Sequence, residues 1–377
     1  MMRPSWDFPS SFHPGCSIVI AGYVKNYVPS MLRSYAARKF LPARRVFRTG
    51  RDAKPGVENV FLVLEQNGTL GYGEASPNRY FVESVEDVQL RLLGLADFLK
   101  QQTLRSFEDV ARIWSEAKDI LFPSKAAMCA VDLALWDLWG KLLQNSSCDI
   151  AGFGVAKSLK SAVTLSVSHA EDLNARISEV STYPLIKVKM DSSADLTPLK
   201  KLRAAGAKRL LVDANASWSP EQCLRLLPEL EKQGVEAVEQ PLPPAMDAEM
   251  EKILPASPLP LIADESCVTP EDVERMAGRF SGINIKLVKC GGLTPALTML
   301  ETARRLQLKV MTGCMLESSL LISAGAIVAQ KADWVDLDGS WLLAEDPFQG
   351  PVFECGVLTP ISNPGLGVAL RDKPDIL

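Results

Sequence analysis

Six ionisable side chains, Lys189, Asp213, Glu239, Asp264, Lys286 and Asp338, each close a short apolar run. The runs read Leu-Ile-Lys-Val-Lys189, Arg-Leu-Leu-Val-Asp213, Val-Glu-Ala-Val-Glu239, Pro-Leu-Ile-Ala-Asp264 and Ile-Asn-Ile-Lys286. Their spacing is 24, 26, 25 and 22 residues, and the 52 residues from Lys286 to Asp338 span two more intervals, with Leu-Lys-Val-Met-Thr312 between. Carboxylates at the ends of three successive strands lie side by side and repel one another unless positive charge sits among them. A hard, oxygen-preferring divalent cation, Mg²⁺ first, answers that need, which makes Asp213, Glu239 and Asp264 candidate metal ligands. Three unrelated loop acids are the plainer alternative. Against it, each acid is followed by a polar or turn-forming partner: Asn215, Gln240-Pro241 or Glu265-Ser266.

Lys189 precedes the acids by one interval and Lys286 follows them by one, so the two amines face each other across the cluster. A nearby cation disfavours the ammonium form, so each lysine pKa should fall from about 10.4 toward the range of a working general base. Two bases on opposite sides of one carbon let a proton leave from one face and return to the other, which inverts a stereocentre. Structural ion pairs with the acids are the alternative. Lys187 shares the orientation of Lys189 by the two-residue strand period, lies deeper, and is placed to position a substrate carboxylate. Lys289 falls beyond its strand, beside Gly291-Gly292, so Lys286 is the stronger candidate. Asp336 and Asp338 face one side of the last run, and such a pair suits a cationic substrate end such as a free α-ammonium.

A strand, a helix and two short loops take about two dozen residues, so the interval describes βα units with a functional group after each strand. A (β/α) barrel builds a site on one rim in that way. The repeat starts near Ala162 and ends at Asp338, with helices predicted at 170–180, 195–205, 219–233, 270–278, 294–306 and 317–330. Ser219-Pro220 and Thr269-Pro270 supply cap and first-turn signals. Upstream, 59–65 and 69–74 read as strands joined at Asn67-Gly68, followed by helices at 84–103 and 106–120. Residues 124–144 form a helix apolar on most sides, capped by Ser124. The chain divides into an extension (1–31), an α+β capping domain (32–150, completed by 341–377) and an α/β barrel domain (151–340). A cap over the charged rim would exclude water from it.

With 47% hydrophobic and 23% charged residues, the chain is able to bury a large core. Its net charge of −4, without a basic tract, gives no reason to expect nucleic acid. No apolar stretch approaches the roughly 20 residues of a membrane span. Eight scattered cysteines lack metal spacing and read as thiols in a reducing compartment. The apolar block at 15–22 lacks the flanks of a secretory signal, so the cytoplasm is expected.

The ordered series Lys-Val-Lys189, Val-Asp-Ala-Asn215, Glu-Gln-Pro241, Ala-Asp-Glu-Ser266 and Asn-Ile-Lys286-x-x-Lys-x-Gly-Gly292 resembles the muconate-cycloisomerase branch of the enolase superfamily. Gly71-Tyr-Gly-Glu74 and Pro364-Gly-Leu-Gly367 extend the match from about residue 32 to the end. The resemblance implies a modified (β/α)7β TIM barrel under an α+β cap, with Mg²⁺ held by Asp213, Glu239 and Asp264. It implies Lys189 and Lys286 as bases flanking an enediolate, a strategy already known for that superfamily. Only two histidines are present, His13 and His169, and neither pairs with an acid on the rim, which disfavours the His–Asp base of the mandelate-racemase branch. Asp336-Leu-Asp338 is similar to the D-x-D of dipeptide epimerases, implying that these acids hold the N-terminus of a dipeptide. Its C-terminal carboxylate would then sit at the metal near Lys187, with Asn215 also in the substrate-binding set. Arg48, in Phe-Arg48-Thr-Gly-Arg51, and Arg79 are candidate partners for a glutamate side chain. The resemblance therefore implies epimerisation of L-Ala-D/L-Glu in murein-peptide recycling, and a homo-oligomer is compatible with it. The branch also holds o-succinylbenzoate synthases, cycloisomerases and N-acylamino acid racemases, and a non-catalytic barrel is the alternative from another class.

Overall fold

The computed structural model describes residues 30–48, 53–78, 82–166, 170–193 and 195–371. Strands β1 (Arg33–Arg48), β2 (Ala53–Gln66) and β3 (Thr69–Ala75) form an antiparallel meander, with β2 and β3 turning at Asn67-Gly68, both at positive φ. The predicted hairpin is there; β1 is an addition to it. Three helices of ten residues or more follow, α1 (Val85–Gly94), α2 (Phe107–Leu121) and α3 (Lys125–Leu143); the helix predicted at 84–103 is interrupted at Leu95 and continues only as a turn at Ala96–Leu99. The Ser124 hydroxyl accepts from Ala127 N to cap α3, and residues 126–140 of that helix are all buried. Helix α3 lies directly on β3. A Cβ at Gly71 would stand 2.5 Å from Ala134 O, and one at Gly73 would collide with Ala130 O, so these two glycines let helix and strand meet.

The second part is a nearly closed barrel of eight parallel strands in chain order. They are β4 (Val163–Ser166), β5 (Ile186–Lys189), β6 (Leu210–Asp213), β7 (Val235–Glu239), β8 (Leu261–Ala263), β9 (Gly282–Ile285), β10 (Lys309–Gly313) and β11 (Trp334–Asp336). Ala162 N donates to Val335 O at 2.7 Å and Leu337 N to Ser161 Oγ at 2.8 Å, which stitches the first strand to the last. Helices α4 (Ala170–Val180), α5 (Thr197–Ala204), α6 (Pro220–Lys232), α7 (Pro270–Met276), α8 (Leu293–Arg305) and α9 (Ser319–Ala329) fall where the sequence predicts them. Ser219 and Thr269 form capping boxes with Gln222 and Asp272.

The barrel interior is layered. Ala162, Leu185, Leu211, Ala237, Ile262, Met311 and Trp334 pack together as an apolar floor. Two residues along each strand, on the same face by the strand period, stand Thr164, Lys187, Asp213, Glu239, Asp264, Gly313 and Asp336. Charge is thus carried one layer above a dry floor, at the carboxyl ends of the strands. The tail touches both parts of the chain. Phe348 packs on Phe61 and Tyr72, with ring centroids 5.7 and 5.4 Å apart. Further on, Val357–Thr359 pairs antiparallel with Leu159–Lys160 at the barrel foot.

Candidate active site

Strand register brings the predicted acids together. Lys189 pairs with Asp213 and Asp213 with Glu239, while Asp264 directly follows β8. Lys286 directly follows β9 and caps the short helix Leu287–Cys290. One lysine therefore stands a strand before the three acids and one a strand after. Asp213, Glu239, Asp264 and Lys286 are all buried.

Four lysines neutralise the cluster, in two ways. At the rim, Lys189 Nζ donates to Asp213 Oδ2 at 3.0 Å and to Asn215 Oδ1 at 3.4 Å. Opposite, Lys286 Nζ donates to Asp264 Oδ2 at 2.7 Å and lies 3.8 Å from Glu239 Oε1. The other two are structural. Lys187 Nζ stands among Glu239 Oε2 at 2.6 Å, Asp336 Oδ2 at 2.7 Å and Asp213 Oδ2 at 3.3 Å. Lys289 Nζ is pinned by Asp264 Oδ1 at 2.5 Å and by the carbonyls of Asp264, Cys267 and Asn284, which leaves Lys286 as the rim lysine of its strand.

These contacts set the protonation. Burial alone would raise the Asp213 pKa, but Lys189 and Lys187 hold it below the usual carboxylate range. Asp264 is likewise held low against burial by Lys286 and Lys289. Glu239 goes the other way, pushed up to about 7 by burial and then by the charge of Asp213. For Lys286, burial favours the neutral amine, yet Asp264 and Glu239 outweigh it and raise its pKa. The sequence-based expectation was a fall beside a cation; with carboxylates as its neighbours, Lys286 is held as ammonium.

Asp336 and Asp338 share a face as expected, but they differ in depth. Asp336 belongs to the layer of Lys187 and its Oδ2 is paired with it, while its Oδ1 is buried without a hydrogen-bond partner. A two-residue step along a strand is about 6.6 Å, so Asp338 stands nearer the rim than Asp336. Asp338 Oδ2 accepts from Thr164 N at 2.7 Å, and burial and then Asp336 push its pKa up to about 7. Arg48 ends β1, and Arg79, Arg51 and His169 lie outside the described residues.

Three residues escaped the sequence reading. Asn284 points inward one period before Lys286, and its Nδ2 donates to Glu239 Oε1 at 2.9 Å. Glu265, next to Asp264, and Glu317, after β10, are pushed up to about 7 and about 8, chiefly by burial. Asn284 was findable from the two-residue period; the two glutamates lie in loops, where no period applies.

Among the described residues the acids do not converge into a cluster of three metal ligands. An ammonium group sits between each pair: Lys187 between Asp213 and Glu239, and Lys286 between Glu239 and Asp264. The donor set nonetheless suits a hard cation, being all carboxylate oxygen on consecutive strands. Glu239 Oε2, although 2.6 Å from Lys187, is a buried atom that receives no hydrogen bond. The residues fit a divalent ion.

Comparison with known proteins points the same way. Residues 169–374 match a family model described as enolase C-terminal domain-like, and residues 35–152 match the N-terminal domain of mandelate racemase / muconate lactonizing enzymes. An L-Ala-D/L-amino acid epimerase of Maribacter sp. is 37% identical over 313 residues, 82% of this chain and 90% of the relative. An enolase family member from Agrobacterium tumefaciens with homology to dipeptide epimerases was solved with bound sodium and L-Ala-L-Glu. It is 32% identical with a TM-score of 0.80, covering 87% of this chain and 98% of that one. A dipeptide epimerase from Methylococcus capsulatus, complexed with Mg and L-Arg-D-Lys, is 29% identical with a TM-score of 0.81, covering 90% and 99%.

Proposed function

The chain belongs to the enolase superfamily, with mandelate racemase / muconate lactonizing enzyme domains, and on that premise we propose that it epimerises dipeptides at the C-terminal α-carbon. The substrate in this reading is L-Ala-D/L-Glu, and the setting is murein-peptide recycling. The observation that carries it is the ring: three buried carboxylates on consecutive strands, a rim lysine on either side, and Asp338 across from them. Relatives named for dipeptide or L-Ala-D/L-amino acid epimerisation, and neighbours holding Mg or L-Ala-L-Glu, support the same reading.

Mg²⁺ held by Asp213, Glu239 and Asp264 would supply positive charge to the substrate carboxylate and so acidify the adjacent α-carbon. This chain's own residues do the rest. Lys187 holds Asp213 and Glu239 from within their own layer. Asp338 receives the free α-ammonium, which selects a dipeptide over an N-acylated amino acid. The α-proton passes to Nζ of one rim lysine, and the other, entering as ammonium, returns a proton to the opposite face. No proton or electron is gained or lost overall. Asn215 orients Lys189, and Arg48 and Arg79 are the proposed partners of the glutamate side chain.

Chiral chromatography tests this. L-Ala-L-Glu incubated with the protein and Mg²⁺ should yield L-Ala-D-Glu, and chelation by EDTA should stop it. Unchanged peptide with Mg²⁺ present, for glutamate and for a panel of other C-terminal residues, would remove the reading.

A further inference from the structure

Gly313 closes β10 at an ordinary, negative φ and in register with Asp336, so no left-handed turn requires a glycine there. A glycine within a strand loses entropy and packing, and commonly marks a place where something approaches closely. What approaches is specific. A Cβ on Gly313 would stand 2.7 Å and 2.8 Å from Oδ1 and Nδ2 of Asn284, and 3.0 Å from Cε of Lys286. Both neighbours are held where they stand by hydrogen bonds. Asn284 is fully buried and donates to Glu239, and Lys286 is buried and donates to Asp264. Because Cε carries Nζ, whatever displaces Cε displaces the amine. Lys189 stands on β5, held by Asp213 and Asn215, and is not among the atoms nearest Gly313.

We propose that Gly313 is a positioning residue, whose missing side chain leaves the lane along which Lys286 reaches the substrate α-carbon. This rests on the epimerase reading of the site. A defect that runs through Lys286 is then one-sided, since only that base is disturbed, whereas one that ran through Asn284 to Glu239 would be shared by both epimers.

Deuterium wash-in at the C-terminal α-carbon separates the two claims. Wild-type protein with Mg²⁺ in D₂O should exchange both L-Ala-L-Glu and L-Ala-D-Glu; no exchange with either would sink the epimerase reading itself. In Gly313→Ala, exchange should fall about tenfold, for a displacement of Lys286 well short of the 1 Å that costs about a hundredfold, for the same epimer that Lys286→Ala fails to exchange. The other epimer should still exchange, with retention, within about threefold of wild type, while epimerisation falls in both directions. Equal loss for both epimers, or no loss, overturns the assignment. Should Gly313→Ala not fold, Gly313→Ala with Asn284→Ser removes the tighter clash and should give the same one-sided pattern measured against Asn284→Ser alone, which by itself carries the loss of the Glu239 hydrogen bond. Failure of both to fold would make Gly313 a packing residue and overturn the assignment as well.

Discussion

At the scale of single residues, Asp338 joins fold and chemistry. Its Oδ2 closes the barrel seam by accepting from Thr164 N, and its pKa near 7 reflects burial and the neighbouring Asp336. In the proposed reading a substrate ammonium would supply countercharge beyond that of Lys187. Asp338→Asn keeps an oxygen for Thr164 and removes the charge, so kcat/KM for L-Ala-L-Glu should fall about a hundredfold or more with little change in Tm. An unchanged kcat/KM would mean that the ammonium is held elsewhere. The acids and lysines of the rim were legible in the sequence because each terminates an apolar run, where polarity is conspicuous. The pairing of Lys187 with Asp336 was not, because depth depends on how β5 and β11 register through the barrel. Asn284, neutral and one period before Lys286, gave only a positional signal.

At the scale of elements, the two-residue period of the strands is what turns the sequence repeat into a site. Six of the barrel strands put an apolar residue on the floor and a polar one two positions above it, so a register slip of one residue would bury the wrong set. Helices were legible from their caps and length. β1 was not, because Arg33, Arg38, Lys39, Arg44, Arg45 and Arg48 interrupt any alternation on this edge strand. Helix α3 shows how a cap element is tied down. Asp137, fully buried, accepts from Tyr72 N of β3 at 2.9 Å, Lys141 Nζ at 2.6 Å and Leu366 N of the tail at 2.8 Å. Asp137→Ala leaves two buried backbone donors unpaired and strips Lys141 of its ion pair, leaving that amine only Leu70 O and the Tyr72 ring, and should cost about 3 kcal/mol in urea denaturation. A loss under about 1 kcal/mol would mean that the strand, helix and tail hold together without it.

At the scale of the whole molecule, cap and barrel meet at a second buried acidic group. Glu74 of β3 accepts from Ser318 N at 3.0 Å and Ser318 Oγ at 2.6 Å, and from Asn59 Nδ2 at 2.7 Å. Burial pushes Glu74 up to about 7 and Glu317 beside it up to about 8, the latter also raised by the charge of Glu74. Acids with raised folded-state pKa values favour the fold when protonated. Their contribution is complete below the ordinary glutamate range and is lost as pH rises through about 7 to 8. Thermal stability should therefore decline from pH 6 to pH 9, and Glu317→Gln should flatten that decline; a wild-type Tm constant over the range would contradict it. Exchange of the α-hydrogen in D₂O, followed by ¹H NMR for each epimer of L-Ala-Glu, tests the two-lysine arrangement most directly. Lys189→Ala and Lys286→Ala should each still exchange one epimer, the opposite one in each case, and neither should interconvert them. If both variants lost exchange of the same epimer, or either still epimerised, the two lysines would not be bases on opposite faces of one carbon.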